Sequence, residues 1–479
     1  MDRSKVISNL FWRFAERFGA QLVTFAVTIV LARLLDPALH GTIVEVTAIT
    51  TILMVFVDAG MGNALIQKKD PDDLDFSSVF YFNLAFCLIL YLLLFLAAPW
   101  IAVLYKEPEL TPIVRVLGLT VVVAGVKNVQ QAYVSKTLQF KRFFFATLGG
   151  TLFSAALGIT LAYLHYGVWA LVAQQLSNVT VNTVIVWFTV GWRPKGMFSF
   201  QRLKGLLSYG WKLLAAQLLD TVYLKLYPLI IGARFQADDT AFFDRGQNWP
   251  NLLVENVNAS IDSVLLPVLS SQQDHKAQVR EITRRAIKTS TFVMMPLMAG
   301  LAACAEPLVR WLMTDKWLPC VPYMQVFCAI YALYPLHTAN LNAIKAMGRS
   351  DVFLKLEILK KLLETGILLV TLRLGVFYMA LGQLCLGLIA QLLNAWPNRR
   401  LLDYAYGQQL RDIAPALLLS LLMAAFVYPV TKLGLGDLTT LLIQVPLGVA
   451  IYAGAAWALK LESFQYVLGI AKKYLHKEA

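Results

Sequence analysis

Apolar runs of about twenty residues recur fourteen times between residues 11 and 459, and that recurrence restricts the fold before any motif is considered. Inside a bilayer the backbone has no water to bond. A chain that crosses repeatedly must therefore satisfy its N–H and C=O groups internally, as helices or as a closed barrel. The runs are long and lack the ten-residue alternation of barrel strands, which points to helices. Charged residues make up 15% of the 479 positions, against roughly 25% in soluble proteins. These features indicate an all-α polytopic membrane protein with about 14 transmembrane helices.

The net charge of +13 does not point to nucleic acid, because the basic residues lie between the apolar runs, where they suit loops beside anionic lipid. Alternate connections are rich in them: Lys68 and Lys69; Lys136, Lys141 and Arg142; Arg193, Lys195, Arg202 and Lys204; Lys276, Arg280, Arg284, Arg285 and Lys288; Lys345 and Arg349; Arg399, Arg400 and Arg411. The intervening connections carry one or two basic residues or none. The positive-inside rule places the rich set, with both termini, in the cytoplasm. Arg3 and Lys5 run straight into Arg13, Glu16 and Arg17, so the first span is expected to stay uncleaved. The five cysteines fall in or beside apolar runs without a Cys-x-x-Cys pair, which argues against a disulfide or metal role. No cofactor motif is present: there is no Walker lysine loop, no Gly-x-Ser-x-Gly and no His-Glu-x-x-His.

The chain also repeats. Gly167-Val168-Trp169, followed by Gln175-Leu176, returns as Gly375-Val376-Phe377 with Gln383-Leu384; Ala32-Arg33 returns as Ala233-Arg234. Asp58 and Asp70 match Asp262 and Asp274, and Lys136 matches Lys345. The near-constant offset divides the chain into two pseudo-symmetric six-helix lobes, 1–204 and 205–400, followed by two extra C-terminal helices and a tail, 401–479. Six spans per lobe give both lobes one orientation, related by an axis along the membrane normal.

Polar residues inside the spans are the candidate chemistry, because hydrocarbon penalises them unless they line a wet cavity or a protein seam. The eighth run carries Arg245, Asn248, Asn251, Glu255, Asn258 and Asp262 at steps of three and four, which form one helical face. Its amides and carboxylates suit sugar hydroxyls, whereas bonding across a bundle seam is the structural alternative. Arg13, Arg17, Gln21, Thr24 and Thr28 form a second stripe in the first run. Arg17 suits phosphate oxygens, with snorkelling to headgroups as the alternative. Lys225 lies near the middle of the seventh run, too deep for easy snorkelling. Lys127, Asn128, Gln130 and Gln131 mark the fourth run; His337, Asn340 and Asn342 mark the tenth, where Tyr334-Pro335 is expected to break the helix. Glu16, Glu255 and His337 are the candidate ion-coupling groups. Asp73-Leu74-Asp75 has the pattern of a metal-binding Asp-x-Asp, but it sits in a short acidic loop with Asp70 and Asp72 and reads as solvated.

Several longer segments resemble a known group. Asp58-Ala59-Gly60-Met61-Gly62-Asn63-Ala64-Leu65-Ile66-Gln67, Gly210-Trp211-Lys212-Leu213-Leu214, Phe243 to Gln247, Ser263 to Pro267, Lys316-Trp317-Leu318-Pro319 and Leu341 to Asp351 are similar to bacterial lipopolysaccharide and exopolysaccharide flippases, closest to the colanic-acid-exporter-like branch. Those proteins belong to the multidrug/oligosaccharidyl-lipid/polysaccharide transporter superfamily. The chain departs from the pattern at Asp244, where relatives more often carry Asn, and at Gly246 after Arg245.

The resemblance implies two lobes around a partly cationic cavity in the bacterial inner membrane, and a lipid-linked oligosaccharide, carried on undecaprenyl diphosphate, moved to the periplasmic leaflet without enzymatic chemistry. On that basis Arg17, Lys127, Lys225 and Arg245 are expected to attract the diphosphate. Asn248, Asn251, Glu255, Asn258 and Asp262 are expected to meet the sugar. A polysaccharide polymerase and a chain-length regulator are the expected protein partners. A drug or small-metabolite antiporter of the same architecture would want a more aromatic and acidic cavity. A membrane glycosyltransferase or polymerase would want a long outer loop bearing catalytic residues.

Overall fold

The computed structural model describes residues 3–58, 61–137 and 139–475. Among them the regular structure is helical. The helices are α1 (Arg3–Leu34), α2 (Pro37–Asp58), α3 (Met61–Gln67), α4 (Asp73–Tyr105), α5 (Leu110–Thr137), α6 (Phe140–Tyr163), α7 (Val168–Thr189), α8 (Phe200–Arg234) and α9 (Ala237–Ser270). They continue with α10 (Lys276–Ala303), α11 (Ala305–Met313), α12 (Val321–Ala332), α13 (Tyr334–Ala346), α14 (Ser350–Thr371), α15 (Val376–Leu401), α16 (Tyr406–Val427), α17 (Asp437–Ala458) and α18 (Glu462–Leu475).

Ten segments among the described residues are long and apolar enough to cross a membrane, one of them running through α12 and α13. The long helices outside that set are α1, α7, α9 and α14, and each carries polar side chains within its length. α14 is the extreme case. It holds Lys360 against Glu357 at 2.6 Å and Lys361 against Glu364 at 3.4 Å, pairs three residues apart that offset one another on a single helix face. The expected count of 14 spans is compatible with these ten plus the four polar helices.

Two compact units divide the chain, Met1–Ala241 and Phe242–Ala479. In the first, α6 lies along α7 and α1, α4 along α5, and α2 against α5 and α8. The α6–α7 seam is close because Gly150 and Gly158 face it. A Cβ on Gly150 would sit 2.9 Å from the Asn178 carbonyl oxygen, and one on Gly158 2.9 Å from the Gln174 Cβ. Small residues of this kind let helices approach where no hydrophobic force drives them together.

In the second unit α10 packs on α16, α12 and α13, and α15 on α13 and α14. Arg284 joins α10 to α16 through paired bonds of 2.8 Å to both Asp412 oxygens. The repeat seen in the sequence has a backbone cause at two points. Gly167 and Gly375, which precede α7 and α15, have φ of +56° and +116°, a region that favours glycine.

Asp70 and Asp72 of the acidic loop are exposed, in line with the sequence reading of a solvated segment, whereas Asp75 departs from it. Asp75 is fully buried, 2.5 Å from Lys68 and 3.5 Å from Arg202. Asp72 caps α4 in a reciprocal box with Asp75, and the Asp75 backbone N–H holds the Asp72 carboxyl below its ordinary range. Lys195 and Trp192 both bond Asp73. The acids serve as a clasp that ties the start of α4 to the segment leading into α8, and burial follows from pairing.

Candidate functional site

In the first unit a polar chain crosses four helices. Lys127 on α5 donates to the Asn182 side-chain Oδ1 at 3.3 Å, and the Asn182 Nδ2 donates to the Thr147 hydroxyl at 3.5 Å. Thr147 on α6 donates to Glu16 on α1 at 3.1 Å. Two of the expected residues, Lys127 and Glu16, are thus brought into one network that includes an asparagine of α7. Lys127 thus has a polar partner inside an otherwise apolar bundle, where ionisable side chains are found only with such partners. The side chains of Arg17 and Arg13 lie outside the described residues.

On α8, Lys225 is half-buried and stands three residues before Pro228. A proline there removes the N–H that would bond the Leu224 carbonyl, so an acceptor is freed in the turn of Lys225.

The polar residues of α9 do not share one environment. Arg245 is half-buried with its guanidinium 5.6 Å from the centre of the Trp317 ring, a stacking cation–π contact. Asn248 and Glu255 are exposed, and the Asn251 amide donates to Glu255 at 2.7 Å. Asn258 is 6% exposed, and neither amide atom has a hydrogen-bond partner among the described residues. The Asp262 side chain lies outside the described residues. Gly246, the departure noted beside Arg245, has a local cause: a Cβ there would fall 2.5 Å from the Tyr323 Cβ and 2.9 Å from the Met324 nitrogen. α9 and α12 therefore meet backbone to backbone at that point.

The tenth run does break at Leu333, between α12 and α13. Gln391 of α15 donates to the Leu333 carbonyl at 2.7 Å, which also accepts the Leu336 backbone N–H at 3.1 Å, so the side chain adds a second bond at the break. His337 shares a 2.8 Å bond between its Nδ1 and the Asn394 amide. Asn340 and Gln409 exchange bonds of 2.8 and 3.0 Å, and Asn398 donates to Asn340 at 2.7 Å. These amides form a buried network among α13, α15 and α16. In the match Gly348 to Asp351, Gly348 has φ of +70°. Arg349 binds Asp351 through two bonds of 2.9 Å, which pull that carboxyl down to about 2.

Sequence reasoning passed over two features. Glu45 on α2 is 2% exposed, accepts a 3.0 Å bond from the Thr240 hydroxyl, and has no ion pair among the described residues. It is the one acid in the apolar run 41–57, a signal that was available. The Lys–Glu pairs of α14 were equally visible in composition.

Residues 30–322 match the model of a family described as polysaccharide biosynthesis protein. The teichuronic acid biosynthesis protein TuaB of Bacillus subtilis is 23% identical over 305 residues, 63% of each chain. The chain thus spans a little under two thirds of that relative's length. The succinoglycan biosynthesis transport protein ExoT of Rhizobium meliloti is 20% identical over 76% of this chain and 74% of its own. The lipopolysaccharide biosynthesis protein WzxC of Escherichia coli is 23% identical over 75% and 74%. Among solved structures, the lipid II flippase MurJ in an inward closed conformation superposes with a TM-score of 0.74 over 92% of this chain and 97% of its own, at 15% identity. An inward-facing multidrug resistance MATE family transporter of the MOP superfamily gives 0.62 over 80% and 94%, at 14% identity. At such identities the likeness is one of fold, and it matches the expected superfamily architecture.

Proposed function

Because the chain belongs to the polysaccharide biosynthesis protein family, we propose that it is a flippase for an undecaprenyl-diphosphate-linked oligosaccharide. It carries this substrate from the cytoplasmic to the periplasmic leaflet by alternating access, for cell-surface polysaccharide assembly. The observation that carries the proposal is the Lys127–Asn182–Thr147–Glu16 chain. It sets a cation, an amide, a hydroxyl and a carboxylate along one path through apolar helices, the mixture a charged glycolipid headgroup needs and a hydrocarbon-facing bundle does not.

Lys127, Lys225 and Arg245, with Arg17, receive the diphosphate, since ammonium and guanidinium groups bind phosphate oxygens. Asn248, Asn251, Glu255, Asn258 and Asp262 replace water lost by sugar hydroxyls. Glu16, Glu255 and His337 are the groups to test for ion coupling. The lobes 1–204 and 205–400 are the moving parts, and both termini face the cytoplasm of the inner membrane. A polysaccharide polymerase and a chain-length regulator would take the product on the outer side. The chemistry is transport, with no bond made or broken.

The test is reconstitution of the full chain in vesicles holding a fluorescent undecaprenyl-diphosphate oligosaccharide. Its appearance in the opposite leaflet should run well above protein-free vesicles. Equal transfer of a sugar-free phospholipid would instead identify a general scramblase, and no transfer of either would end the proposal.

A further inference from the structure

Inside the first unit lies a cavity of about 370 Å³ among α1, α2, α5, α6 and α7, within the roughly 300–1,000 Å³ of small-molecule sites. Its lining comprises six threonines, one serine, two glutamines and one asparagine against three apolar residues, Val27, Met54 and Val179, with no charged side chain.

The hydroxyls mostly spend their protons on their own helices. Thr151 donates to the Thr147 carbonyl and Ser154 to the Thr151 carbonyl, so their lone pairs remain as acceptors. The Asn178 amide already reaches both of those hydroxyls, at 3.4 and 3.2 Å. Gln175 accepts from Thr47 at 3.2 Å and keeps its amide N–H groups. The Gln174 backbone carbonyl accepts from Ser177 at 3.1 Å, but its side chain makes no hydrogen bond among the described residues, although its Cβ and Cγ pack on Gly158. The cavity thus offers neutral donors, neutral acceptors and methyl groups together. A sugar ring presents the complement: hydroxyls that donate and accept, and C–H faces.

A second observation bears on which sugar of the oligosaccharide the cavity suits. Asn178 and Thr151 each lie four residues, one helical turn, from Asn182 and Thr147, the partners that link Lys127 to Glu16. An uncharged polyol site therefore adjoins a cationic one, the order of groups in a glycosyl diphosphate. Resting on the flippase reading above, we propose that this cavity binds the sugar residue joined directly to the diphosphate, while Lys127 faces the diphosphate itself.

The experiment measures binding to the full chain in detergent micelles by tryptophan fluorescence. The probes are undecaprenyl diphosphate and undecaprenyl diphosphate carrying a single N-acetylglucosamine, glucose or galactose. At least one glycosylated lipid should bind about tenfold more tightly than the sugar-free lipid, the worth of one or two added hydrogen bonds. Gln174→Leu, which keeps the packing on Gly158 and breaks no bond, should remove most of that difference and leave undecaprenyl diphosphate binding unchanged. Asn178→Leu should do the same if it folds. Lys127→Met should weaken all probes alike. Equal binding of every probe to the wild type, or a sugar preference that survives Gln174→Leu, overturns the cavity assignment while leaving the flippase reading intact. Failure of every probe to bind better than a plain phospholipid overturns both.

Discussion

The Arg284 guanidinium and the Asp412 carboxylate face each other through two hydrogen bonds of 2.8 Å, one to each oxygen. The Tyr404 hydroxyl adds a third bond to Asp412 at 2.7 Å, and Lys288 lies 3.7 Å away. With its side chain 7% exposed, Asp412 depends on these partners. Arg284→Met should destabilise the protein by about 1–3 kcal/mol, because a buried acceptor loses its strongest donors. Thermal melting of the purified protein checks this; an unchanged midpoint would mean the pair is replaced by water.

Gly246 gives a prediction of opposite kind, excess rather than loss. Its missing Cβ leaves room for the α12 backbone at Tyr323 and Met324. Gly246→Val should cost about 1–3 kcal/mol through overpacking, whereas Asn248→Ala two residues on, at an exposed position, should stay within about 0.5 kcal/mol. Equal effects of the two on the melting midpoint would contradict the close contact.

The cations define a third test. Lys225→Ala, Arg245→Ala and Lys127→Met should each slow transfer of the lipid-linked oligosaccharide about tenfold or more, equivalent to losing roughly 1.4 kcal/mol of stabilisation during passage. Circular dichroism should stay helical throughout. Full rates in all three would show that the diphosphate passes elsewhere.

Membrane potential should act with a definite sign. Moving an anion outward from a negative interior is favoured by about 2.3 kcal/mol per charge per 100 mV. Outward transfer in oriented vesicles should speed up when the interior is made negative and slow when the gradient is reversed. Indifference to potential would mean that a counter-charge moves with the substrate.

Gln391→Leu probes the helix break. It removes one of two donors to the Leu333 carbonyl, which keeps the Leu336 N–H, and should cost about 0.5–1.5 kcal/mol. Gln391→Met keeps the length of the side chain without its donor and should behave similarly, which separates hydrogen bonding from volume.

The helical fold was legible because apolar run length is a one-dimensional property, and so was the break before Pro335, since proline acts on its own neighbours. Polar stripes were legible as faces but not as environments. On α9, the face containing exposed Glu255 also contains buried Asn258, because what covers a face depends on helices distant in sequence. The α6–α7 partners were hidden for the same reason. Asn178 sits in a glycosylation-like triplet, and only the approach allowed by Gly150 and Gly158 joins it to Thr151 and Ser154. Asp75 was read as solvated because its partners, Lys68 and Arg202, come from different segments.

The interruption at Leu333 carries a mechanical consequence. An unbroken helix resists bending along its whole length, whereas one broken at a single residue concentrates compliance there. Here the compliant point is braced by Gln391, a side chain borrowed from α15. The stiffness of the α12–α13 rod is therefore set from outside it, and substitutions at position 391 tune how readily the rod flexes while leaving its own sequence untouched.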